Sequence, residues 1–112
     1  MDRILRVAAA LAGVGAVALS AVASHMVMEP AANLMLRDAV QMQGWHALAL
    51  LFAAQSGIYR AGWAFVIGMI LFCAPIYFLV FFGLKFTFLA PYGGALLMLG
   101  WGLLGITAIR HR

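Results

Sequence analysis

Four long apolar stretches, about Ile4 to Met28, Val40 to Ala54, Gly62 to Phe82 and Phe88 to Ile109, alternate with short segments that hold nearly all of the charge. A helix rises 1.5 Å per residue, so ~20 apolar residues cross a hydrocarbon layer. The first, third and fourth stretches reach that length outright. The second has about fifteen strongly apolar-rich positions and reaches it only by extending toward Ile58. The pattern predicts an all-α membrane protein, a four-transmembrane-helix bundle in one domain, 1–112, with spans at about 4–28, 40–58, 62–82 and 88–109. Between the first two spans, "EPAANLMLRDA" (29–39) is long enough for a turn and a short helix begun by Pro30 on the outer surface.

The start of the chain has a second reading. "MDRILR", an apolar run and "AVAS" (21–24) imitate a secretory signal with its small-residue cleavage site. The apolar run continues to Met28, however, beyond the ~7–15 residues of an ordinary signal core. An uncleaved first span is the expectation.

Composition agrees with a hydrocarbon solvent: 67% hydrophobic, 9% charged and a mean hydropathy of +1.08, where a soluble domain carries roughly a quarter charged residues. The net charge of +4 does not form a nucleic-acid patch, because the basic residues sit singly or in pairs at the ends of apolar runs. They act instead as topology signals and contacts for anionic membrane lipids. In a four-span arrangement Arg3, Arg6, Arg60, Arg110 and Arg112 share one side against Arg37 and Lys85 on the other. Both termini are therefore expected in the cytoplasm, with Tyr59 and Trp63 as interfacial anchors. A lone cysteine, Cys73, permits no internal disulfide.

Ala8, Ala12, Ala16, Ser20 and Ser24 recur every fourth residue, and Gly94 and Gly102 repeat the theme on the last span. In lipid, small residues let helix backbones approach closely, so these stripes are read as packing faces. Pro75 withholds a hydrogen bond from Leu71 and is expected to bend the third helix. Pro91 suits the first turn of the fourth.

The topology brings His25, Gln43, His46, Tyr77 and Tyr92 to one leaflet, with His46 six residues, about 9 Å, below Val40. Such a cluster has two readings. It could be a pocket for a lipid head group, a quinone, a proton or another small ligand, or its members could bond one another and fix helix register. Two histidines could clamp a haem, but no attachment motif accompanies them. Zinc would need three or four ligands. No metal or cofactor is expected. Catalysis is also poorly served, since the apolar runs hold no carboxylate, no nucleophile paired with a base and no glycine-rich phosphate loop.

Several of these residues carry a resemblance. "LSAVASH" (19–25), Gln43 with His46 three residues on and "ALALL" after it, Gly68, Leu71, Phe72 and Tyr77, and then Pro91, Gly93, Gly94, Gly100 and Trp101 resemble, in order and spacing, the domain of unknown function 423 family. The match departs at Met42, where tyrosine is usual, and at Cys73–Ala74–Pro75, which replaces a small polar step. The resemblance implies a small four-helix protein of the bacterial inner membrane and leaves its activity open. The expected role is non-catalytic: an accessory or structural subunit packing against other membrane subunits or against itself. The alternative is a binding or transport protein using the outer-leaflet cluster.

Overall fold

A computed structural model of the chain describes residues 2–110. They form four long helices: α1 (Asp2–His25), α2 (Pro30–Gln55), α3 (Tyr59–Phe82) and α4 (Ala90–Arg110), with a single 3-10 turn, Thr87–Leu89, ahead of the last. Each helix packs antiparallel along the next in sequence, and α1 also touches α3. The bundle measures 48 × 25 × 20 Å. One end holds Asp2, Gln55, Tyr59 and Arg110; the other holds His25, Pro30, Phe82 and Ala90.

Three stretches are long and apolar enough to cross a membrane: Asp2–His25, Tyr59–Phe82 and Thr87–Arg110, with mean hydropathies of 2.0, 2.6 and 1.6. α2 is less apolar although it spans 26 residues. Its polarity follows its position. It holds Leu36, Ala39, Gln43, His46, Ala47, Ala49, Leu50, Ala53 and Ala54 buried, so its neighbours screen it. A shielded helix can carry polar side chains that a lipid-facing one cannot.

The second apolar run does not begin a helix at Val40. Pro30 occupies the first turn of one continuous helix, with Glu29 before it, where a missing N–H costs no bond. No separate surface helix precedes α2. It ends at Gln55 rather than Ile58, because Gly57, at φ 74, turns the chain into α3. Gly83, at φ 70, closes α3 in the left-handed conformation that glycine adopts without strain. α3 stays helical through Pro75.

The core is a column of Leu5, Leu50, Phe65 and Leu97 with alanines between them. Close backbone approach does the rest. A Cβ at Gly93 would overlap the backbone of Leu71 and Phe72 and come within 2.8 Å of the Gly68 carbonyl. Thus α4 crosses α3 at the stretch from which Pro75 withholds a hydrogen bond. Farther along, Gly100 accepts the ring of Phe65, and Gly62 accepts Leu5 from α1.

Candidate functional site

The interior polar groups form two separate bonded sets joined only through α2. Gln43 is buried. Its amide nitrogen donates to the Ala12 carbonyl of α1 at 2.8 Å, and its carbonyl oxygen accepts the Tyr77 hydroxyl of α3 at 2.6 Å. One side chain therefore ties three helices together. Gly15 makes the space: a Cβ there would stand 2.8 Å from the Gln43 amide nitrogen.

His46, one turn further on and about 60° round α2, faces the side where α3 meets α4. Its Nε2 lies 3.0 Å from the indole nitrogen of Trp101 on α4, and its Nδ1 lies 2.6 Å from the Met42 carbonyl. An indole N–H only donates, so Nε2 must accept and Nδ1 carries the proton given to Met42. His46 is thereby fixed as the neutral Nδ1–H tautomer. Phe65 and Trp101 pack around the ring at centroid distances of 5.6 and 6.0 Å. Both ring nitrogens are occupied, which leaves no lone pair for a metal or haem.

His46 is also deeper than a helix starting at Val40 places it. It stands nine residues from Gln55, and Trp101 stands nine residues from Arg110. Both lie about 14 Å from that end of the bundle.

Of the sequence-selected cluster, Gln43 and Tyr77 meet, while His46 joins a partner outside it. His25, at the last residue of α1, and Tyr92, in the first turn of α4, are exposed. Neither donates or accepts a side-chain hydrogen bond among the described residues. Of the small-residue stripe on α1, Ala16 is buried and Ala8 and Ala12 half-buried, while Ser20 and Ser24 are exposed. On α4, Gly94 is half-buried and Gly102 faces open space. Trp63 turns inward, and its indole nitrogen is buried without a partner.

A third set, at the Pro30 end, joins α1 to α2. Asn33 donates to the Ala23 carbonyl at 2.8 Å, Arg37 reaches the same oxygen at 3.5 Å, and Arg37 Nε donates to Asn33 at 2.7 Å. Ala23 lies in the last turn of α1, where carbonyls lack intrahelical donors and a cation is favoured. Cys73 is buried, with its Sγ 3.4 Å from the Ala39 carbonyl.

Two shallow grooves flank these sets. One, about 310 Å³, passes Ala8, Gln43, Cys73 and Tyr77; the other, about 560 Å³, lies between α2 and α4 beside His46 and Trp101. The residues around each are mostly apolar, so they suit hydrocarbon better than a polar solute. Among the described residues no three His, Cys, Asp or Glu side chains gather to hold a metal ion.

A model of the family described as "Protein of unknown function (DUF423)" matches residues 11–94 of the 112. The chain belongs to the DUF423 family. The matched segment includes Gly15, Gln43, His46 and Tyr77, so the three-helix tie through Gln43 falls within the DUF423 region, whereas Trp101 lies beyond it. No curated protein and no solved structure matches the chain.

Proposed function

We propose that this DUF423 protein crosses the membrane four times, with both termini in the cytoplasm, and serves as a non-catalytic accessory component. It packs against other membrane subunits or a second copy of itself. Three helices meet the length and hydropathy requirement alone. α2 links the far end of α1 to the near end of α3, so a bilayer crossed by both is crossed by α2 as well. The other helices bury Gln43 and His46, the polar side chains nearest its middle. Orientation is supported by Arg3, Arg6, Arg60 and Arg110 at one end against Arg37 and Lys85 at the other; placement in a bacterial inner membrane rests on the family resemblance.

One observation carries the non-catalytic reading: the buried polar side chains Gln43 and His46 spend their groups on other helices of the same chain. A substrate or transported solute needs polar groups left over for it. The alternative of an outer-leaflet pocket is weakened because His25 and Tyr92 stand apart from Gln43 and His46. What remains outward-facing and flat, Ser20 and Ser24 on α1 and Gly102 and Gly105 on α4, favours close approach by another helix.

Native mass measurement from lipid nanodiscs tests the proposal. A defined oligomer or subunit complex is expected, dispersed by Gly102→Leu or Ser20→Leu with helicity unchanged. A strictly monomeric protein without a bound subunit would overturn it.

A further inference from the structure

At the Arg110 end of the bundle a cavity of about 690 Å³ opens between the α2–α3 turn and the last turns of α4. Its polar lining is Ser56, Tyr59, Arg60, Thr107 and Arg110, and its apolar wall includes Phe52, Ile58 and Leu104. The two arginines come from different helices, fifty residues apart in sequence. Neither has a carboxylate within 4 Å among the described residues, where the single ion pair is Arg6 with Asp2. The remaining acids, Glu29 and Asp38, belong to the opposite end of the bundle. Among the described residues the cavity therefore holds two guanidinium groups with no carboxylate partner, beside a hydrocarbon surface.

We propose that this cavity is a binding site for the phosphate head group of an anionic glycerophospholipid, with one acyl chain lying along the Phe52 and Leu104 wall. The proposal rests on the four-span reading, which sets Arg60 and Arg110 at the level of the cytoplasmic head groups. Guanidinium matches phosphate oxygens through paired N–H donors and is weakly hydrated, so two of them around one cavity select phosphate over other anions. The hydroxyls of Ser56 and Tyr59 can donate to the remaining oxygens. The adjoining apolar wall favours an amphiphile over a free ion. Trapping a soluble phosphate would leave Phe52, Ile58 and Leu104 facing water.

The experiment counts retained lipids by native mass spectrometry of the full chain from nanodiscs of phosphatidylcholine with or without phosphatidylglycerol. Wild type is expected to retain one phosphatidylglycerol selectively. Arg60→Gln with Arg110→Gln should abolish that selectivity. Arg3→Gln with Arg6→Gln, which removes equal charge from the same end outside the cavity, should keep it. Equal loss in both double variants, or no preference in wild type, overturns the site in favour of diffuse surface charge. Inorganic phosphate added to phosphatidylcholine discs should displace nothing and raise no melting temperature; if it does both, the site takes the free ion and the lipid assignment fails. Arg110→Gln alone, at the exposed last residue of α4, keeps the test available should the double variant misfold. The same spectra report insertion and oligomeric state, so failure of the head-group site is separable from failure of the accessory role.

Discussion

Trp101 on α4 donates its indole hydrogen to Nε2 of His46 on α2, across 3.0 Å. These helices otherwise share little surface, and the bond makes α4 part of the same register as α1, α2 and α3. It also decides the chemistry of the imidazole. A histidine whose Nε2 accepts and whose Nδ1 donates is a neutral spacer within the bundle.

Trp101→Phe should lower the melting temperature by the equivalent of about 1 kcal/mol, because it leaves Nε2 of His46 unpaired in a dry interior. Trp63→Phe forfeits no hydrogen bond, since that indole nitrogen has no partner. Thermal unfolding in one detergent should therefore rank Trp101→Phe as the more damaging on the polar term, although Trp101 is 51% exposed. The opposite ranking would show that ring packing outweighs the bond.

Gly15 and Gln43 should be energetically coupled. Gly15→Ala forces a methyl into the Gln43 amide, an overpacking expected to cost about 1–3 kcal/mol. In a Gln43→Ala background the same change should cost almost nothing. A double-mutant cycle by chemical denaturation in mixed micelles measures the difference. Additive effects would mean that the amide does not occupy that space.

Two glycines on α4 should respond in opposite ways. Gly93→Ala drives a carbon into the α3 backbone at Leu71 and Phe72, where no side chain can give way, and should unseat α4. Gly102→Ala meets open space, and alanine is the better helix former by about 1 kcal/mol. Circular dichroism melts should show a large loss for the first and no loss for the second.

Sidedness is open to direct chemical test. Cys73 is buried and should resist maleimide in the folded protein. Val27→Cys, at an almost fully exposed residue between α1 and α2, should label in intact cells with a membrane-impermeant reagent. Ser56→Cys, in the turn at the other end, should label only after permeabilisation. Labelling of both positions from outside would contradict a four-span arrangement.

The sequence shows the helices clearly, because length and hydropathy are local properties and the breaks fall at Gly57, Gly83 and Pro30. It shows Gln43 and His46 as polar intruders in an apolar run. Their partners were not legible in the same way. Spacing along α2 makes Gln43 and His46 neighbours on one face, but their bonding partners differ: the first bonds to α1 and α3, the second to Trp101 of α4 while packing on Phe65 of α3. Gly15 and Trp101 belong to those sites only through the rotation of α1 and α4 about their axes, which no local pattern encodes. Trp101 appears in the sequence only as part of a motif with Gly100. The start of α2 was legible only in part: Pro30 marks a helix beginning, but Asn33, Arg37 and Asp38 make the stretch up to Ala39 look separate from the apolar run that continues it.

The shielding of α2 has a consequence for how such a protein is made. With Asn33, Arg37, Gln41, Gln43 and His46 along its length, this segment gains too little from lipid to leave an insertion channel unaided. α1, already in place when α2 is synthesised, offers the Ala12 and Ala23 carbonyls as waiting acceptors. In the proposed four-span form α2 would therefore enter the bilayer as a hairpin with α1, and α3 would close over it.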